Sequence, residues 1–221
     1  LWMNSWYDVS VGPNMALYNH ARENGADREV RENQYAVVAP VEHCAFFREA
    51  GPQTTVGERS MGDVRLDYDA LIFNWFDQWL KSERRAFREP RVQYFMMGAN
   101  EWRSADTWPP ENVEMTPVRL SSGGSANSLH GDGRLIFGAG SSAAAADRFI
   151  YDPMNPVPSH GGAVCCIGGA AQAGSFDQRA IEARDDVLVY TSDPLEEALE
   201  IAGPIEITLF VSSDAPDTDF H

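Results

Sequence analysis

Basic residues are scarce in this 221-residue chain. Lys and Arg number 17 against 33 Asp and Glu, a formal net charge of −16. So acidic a chain repels phosphate backbones and anionic lipid surfaces, which argues against nucleic-acid binding and against membrane docking. A well-solvated acidic surface accounts for the charge. Cysteine is scarce too, with Cys44, Cys165 and Cys166 as the whole set. An odd count with one adjacent pair is not a disulfide framework. No Cys or His spacing resembles a zinc site, so neither metal nor cofactor is expected. Cys44 follows His43 directly, but neighbours on an extended chain point to opposite sides, and Cys44 is read as a small packed thiol. No apolar run approaches the roughly 20 residues of a membrane span. No secretory leader is visible, and localisation stays open between cytoplasmic and secreted. The chain opens at Leu1 and reads as an internal fragment.

What is present can build a core, since 43% of residues are hydrophobic and 11% aromatic. Residues 1–8 read as the end of a strand. Pro13 to Asn24 reads as a helix, with Pro13 suited to its first turn and Gly25 to a left-handed stop. Tyr35-Ala-Val-Val-Ala39 is a short apolar run that reads as a buried parallel strand. Residues 48–62 read as a surface loop. Val64 to Lys81 is apolar around most of its circumference, as a helix packed between two layers would be. Near Arg88-Glu-Pro90 the texture changes. Short β-prone stretches follow at Val92–Met97, Met115–Leu120, Arg134–Phe137, Arg148–Tyr151, Val187–Thr191 and Pro204–Ser212, separated by Gly, Pro, Ser and Asp clusters. Such spacing predicts a β-sandwich or jelly roll. The expected fold class is therefore α/β followed by all-β, in two domains of residues 1–88 and 89–221.

Two residues carry the chemistry. Asp8 stands just after the first strand, and His43 just after the second, with a helix between them. A Ser-His-Asp hydrolase of the α/β type places its acid and base in this chain order, after a serine on an earlier strand. His43 would take the serine proton and return it to the leaving group. Asp8 would accept a hydrogen bond from the other ring nitrogen and hold the tautomer. The bland alternatives stay open: an Asp after a strand also caps helices and forms turns, and a lone His is also a packed or surface residue. His20, His130, His160 and His221 have no comparable context and are read as structural. The chain lacks a Gly-x-Ser-x-Gly elbow. Gly123-Gly-Ser125-Ala-Asn127 misses the last glycine and Val9-Ser10-Val11-Gly12 the first.

These residues resemble a known family, the cocaine esterase / X-Pro dipeptidyl-peptidase / α-amino-acid ester hydrolase group of acyl esterases. Ser5-Trp-Tyr-Asp8 is similar to its Gly-Trp-Tyr-Asp, which carries the triad acid. Ala39-Pro-Val-Glu-His43 is similar to its Gly-Pro-Trp-x-His, which carries the base. Phe95-Met-Met-Gly98, Asn100-Glu-Trp-Arg103, Trp108-Pro-Pro110, Tyr151-Asp-Pro153, Asp177-Gln-Arg179, Tyr190-Thr-Ser192 and the stretch from Ser212 to Phe220 follow in the family's order. The resemblance implies the C-terminal part of an α/β-hydrolase domain, residues 1–88, and a jelly-roll β-domain, residues 89–221, incomplete at its C-terminus. It implies serine hydrolysis of small esters, amides or short peptides, with Asp8 and His43 catalytic and the nucleophile outside this chain. A homo-oligomer is left open. The family's Trp before the His is Val41 here, so the substrate pocket is expected to differ. The rival readings are a saccharide-binding jelly-roll module using Trp102, Trp108 and the Asp214, Asp217 and Asp219 cluster, and an inactive interaction fragment.

Overall fold

The structure is a computed structural model, and it describes residues 1–43, 45–47, 51–81, 86–138, 145–165, 169, 171–218 and 220. Cys44, Cys166, Asp219 and His221 lie outside the described residues. So does most of the 138–146 small-residue loop.

Strand β1 (Trp2–Tyr7) leads through helix α1 (Val11–Asn24) and the short α2 (Arg28–Glu32) into β2 (Ala36–Glu42). The two strands pair in parallel from Trp2–Ala36 to Tyr7–Glu42. A parallel pair needs a long crossover, and the helical segment supplies it. Both faces of β2 are covered, as the continuous apolar run predicted. Ala36 and Val38 pack with Met15 and Tyr18 of α1, while Val37 and Ala39 turn to the other side. There they meet Tyr68 and Leu71 of α3 (Tyr68–Leu80). The sheet thus lies between α1 and α3.

Helix α1 begins at Val11, two residues earlier than expected, and Pro13 falls in its first turn, where the backbone N–H has no partner to lose. Gly25 ends it with φ −54° and ψ 147°, an extended conformation and not the left-handed stop expected. Helix α3 is capped by Asp67, whose carboxylate accepts from the Ala70 N–H at 2.8 Å. Its inner face is buried, but Phe73, Phe76 and Leu80 are exposed. The expected packing between two layers is therefore met on one side only, because among the described residues no second layer covers the outer stripe.

The 48–62 segment was expected as loop, on its Gly, Thr and charge content. Instead β3 (Thr54–Val56) and β4 (Arg59–Gly62) form an antiparallel hairpin about Gly57. The buried Val56 and Met61 anchor it in a third core with Tyr7, Val64 and Phe95.

Strand β5 (Val92–Met96) was expected in the β-sandwich. It joins β2 in parallel instead, Ala36 opposite Val92, and β6 (Glu101–Ala105) folds back on it antiparallel. The sheet order is β1-β2-β5-β6. The reason is burial: Val92, Tyr94 and Met96 complete the apolar face that α1 covers, and Phe95 fills the other side.

Further on, β7 (Val118–Ser121) and β8 (Arg134–Phe137) form a hairpin near two of the expected stretches. Val187–Thr191 makes only single bridges, Asn127 to Leu188 and Arg134 to Thr191. Arg148–Tyr151 and Pro204–Ser212 show no strand pairing among the described residues, and Ile150, Ile205, Ile207 and Phe210 are exposed. An alternating apolar pattern does not by itself make a strand, because backbone groups need a partner ladder. The described chain is sheet-rich, with one further short helix, α4 (Arg179–Glu182).

Candidate functional site

Asp8 and His43 come together through strand register. Tyr7 lies opposite Glu42 at the C-terminal ends of the parallel pair, so the next residue on each strand leaves the sheet at the same place. His43 Nδ1 stands 2.7 Å from Asp8 Oδ2. An ionised carboxylate only accepts, so the proton of this bond sits on Nδ1 and the lone pair on Nε2. The Asp8 side chain is 9% exposed and that of His43 36%. The acid is enclosed and the base is reachable from solvent, which suits an acid that orients and a base that reacts.

The two carboxylate oxygens of Asp8 have different partners. Oδ2 faces His43. Oδ1 accepts from the Ser10 backbone N–H at 2.9 Å and from the Ser10 hydroxyl at 2.7 Å. This is an Asx turn that opens α1. Asn14 Nδ2 donates to Ser10 Oγ at 3.3 Å and to the Asn4 side-chain oxygen at 2.9 Å. The polar side chains at the end of β1 are thus buried but satisfied. Burial works to raise the Asp8 pKa, yet the bonds from Ser10 and the contact with His43 outweigh it, and the carboxyl sits below its ordinary 3.8. Ser10 was not singled out as a site residue from the sequence. Its signal, Asp-x-Ser before a helix, is present at many helix starts without any chemistry attached.

A cleft of about 500 Å³ opens beside His43. Glu42, His43 and the hairpin residues Thr55 and Gly57 form one side. Val164, Cys165, Gln172 and Phe176, distant in sequence, form the other.

The remaining site candidates separate clearly. His20, His130 and His160 are exposed, and His160 packs on Phe176, which lines the same cleft as His43. Trp108 is buried between Trp6 and Tyr94, and Trp102 packs on Phe95 while donating to the Val64 carbonyl. Neither indole is an open sugar platform. Asp214 and Asp217 are exposed, and among the described residues no group of three or more His, Cys, Asp or Glu side chains is arranged to hold a metal ion. No helix among them is long and apolar enough to cross a membrane.

Residues 85–221 match the family model of the X-Pro dipeptidyl-peptidase C-terminal non-catalytic domain. The chain belongs to the cocaine esterase / X-Pro dipeptidyl-peptidase-like family. Among its relatives in this family is the cocaine esterase of Rhodococcus sp. (strain MB1 Bresler). The two are 34% identical over 97% of this chain and 36% of that protein. A provisionally named serine esterase of Mycobacterium bovis is 27% identical over 98% of this chain and 33% of that protein. The chain therefore spans about a third of the length of these relatives. The crystal structure of an aminopeptidase from a marine sediment Thaumarchaeota archaeon superposes with a TM-score of 0.61 at 22% identity. That likeness covers 88% of this chain and 30% of that one, and is one of fold. Asp8 and His43 both precede the segment that matches the non-catalytic family model.

Proposed function

We propose that this chain carries the acid and base of a Ser-His-Asp triad in a serine hydrolase of esters or amides. The single observation that supports this most is the Asp8–His43 bond of 2.7 Å at the ends of adjacent parallel strands, with His43 facing a cleft. The esterase names of the relatives support an ester substrate. The nucleophile in this reading is a serine outside the 221 residues. Nε2 of His43 removes the serine proton as the hydroxyl attacks the acyl carbon, then protonates the leaving group. Asp8 holds the ring and offsets the positive charge that builds on it. Water reverses the sequence on the acyl-enzyme.

In this reading β1, β2 and their helices belong to the C-terminal part of an α/β-hydrolase domain, residues 1–88. Residues 89–221 form a jelly-roll β-domain whose first hairpin, β5–β6, completes the hydrolase sheet. Small esters, amides or short peptides are the substrates.

Asp8→Asn and His43→Ala in the intact protein each lower kcat by about 10⁴-fold, as loss of a triad member does elsewhere. Hydrolysis of p-nitrophenyl esters measures it. Near-normal turnover in either variant would remove the assignment.

A further inference from the structure

The cleft beside His43 has two sides joined by an unusual contact. On one side, Gly57 turns the β3–β4 hairpin with φ 65°. On the other, the arm of residues 171–176 approaches it backbone to backbone. Glu58 N–H donates to the Ser175 carbonyl at 2.7 Å, and Gly57 and Ser175 form a bridge. Gly174 has φ 124° and exchanges two hydrogen bonds with Gly162, of 2.7 and 3.0 Å. Neither glycine of this contact has room for a side chain. A Cβ on Gly57 would lie 2.3 Å from the Ser175 carbonyl oxygen, and a Cβ on Gly174 would lie 2.6 Å from the Gly57 nitrogen. All the opposing atoms are backbone, which cannot swing aside.

The same arm is tied a second time. Ser175 lies near the phenol of Tyr7, the residue before Asp8, where it works against the burial that raises the Tyr7 pKa. Ala173 packs on the core that holds Tyr7, Val56 and Met61. Gln172 and Phe176, on either side of these ties, line the same cleft as His43.

We infer that Gly57 and Gly174 are positioning residues: their contact, with the packing of Ala173, sets the width of the cleft at His43 and so the size of acyl or leaving group admitted. The inference rests on the hydrolase reading above. A methyl group at either glycine forces the arm outward and leaves the Asp8–Ser10–His43 contacts as they are. The effect falls on binding of bulky substrates and not on the proton transfer.

Gly57→Ala and Gly174→Ala in the intact protein test this with two substrates, a small acetyl ester and a bulky aromatic acyl ester. With the arm pushed outward the cleft widens, so KM for the bulky ester falls by roughly 10-fold, the order of one methylene's fit in a pocket. The readout is the ratio of KM for the bulky ester to KM for the acetyl ester, and the pH profile of kcat/KM stays as in the parent. Gly51→Ala is the control, since among the described residues a Cβ there meets nothing closer than 3.8 Å. Should both alanine variants fail to fold, Gln172→Ala trims a cleft-lining side chain of the same arm and is expected to shift KM for the bulky ester in the same direction. Parent-like KM values for both esters in the folded variants overturn the inference. His43→Ala separates the two proposals: if it abolishes turnover while Gly57→Ala behaves as the parent, the hydrolase reading stands and the positioning role falls.

Discussion

Asp8 divides its two oxygens between a turn and a base, and the division has a pH signature. Burial raises its pKa, but the Ser10 and His43 contacts bring the net value below 3.8. A carboxyl depressed in the folded state stabilises the fold above its unfolded pKa. That stability is lost as pH falls from about 3.8 through the lower folded value. Ser10→Ala removes the 2.7 Å hydroxyl bond and leaves the backbone one. Hydrogen bonds to charged groups contribute about 1.5–3 kcal/mol, so one to two decades of kcat are at stake. Loss of stability in acid sets in at higher pH because the Asp8 carboxyl is less depressed; thermal unfolding across pH 3–7 measures that, and ester hydrolysis the turnover. Asp8 and His43 were legible in the sequence because each ends an apolar strand and a helix separates them. Ser10 was not, because a serine two residues after an aspartate is common and only the folded turn points its hydroxyl at Oδ1.

The strands show where local pattern stops being sufficient. β2 was readable because Tyr35-Ala-Val-Val-Ala39 is apolar on both faces, which only a covered strand tolerates. β5 has a similar texture, yet its place in the sheet depends on which neighbour buries Tyr94 and Phe95, and that is a tertiary fact. The β3–β4 hairpin was hidden because only Val56 and Met61 are apolar anchors among polar residues. Phe95 is fully enclosed where the sheet, the hairpin and Trp102 converge. Phe95→Ala therefore lowers the unfolding free energy by about 3–5 kcal/mol, as large aromatic truncations in cores do. Urea denaturation monitored by tryptophan fluorescence reads it. An exposed substitution such as Phe73→Ala, on the outer stripe of α3, costs far less in the same assay.

At the scale of the whole molecule, β7 and β8 are the only named strands of the C-terminal half among the described residues, and a side-chain hub joins segments that ladders do not. Asp147 is that hub. Its carboxylate accepts from the Ser122 hydroxyl and the Tyr190 phenol at 2.6 Å each, and from the Ala126 N–H at 2.8 Å. Three segments far apart in sequence meet on one side chain. Burial opposes its charge, but these three bonds bring its pKa below 3.8. Burial, with the Asp147 bond second, pushes the Tyr190 phenol up to about 12. Asp147→Ala leaves three donors without their acceptor, so it destabilises the fold by about 1–3 kcal/mol at neutral pH. Because acid removes the same interaction, the difference from the parent shrinks as pH falls below 3.8. Thermal unfolding of both proteins across pH 3–7 measures it. The family motifs made the order of this half legible, whereas the hub was not, since nothing local links residue 147 to 122 or 190.

The parallel pairing of β1 with β2 has a consequence beyond the sheet itself. Asp8 and His43 are 35 residues apart, and they touch only because Tyr7 faces Glu42. Sliding one strand by a single residue would turn every side chain to the opposite face and part the two rings of contacts. The acid–base bond is therefore also an alignment mark. A molecule whose first two strands have docked out of step loses the Asp8–His43 contact, so in the hydrolase reading proposed above misassembly in this part of the chain is audible in turnover.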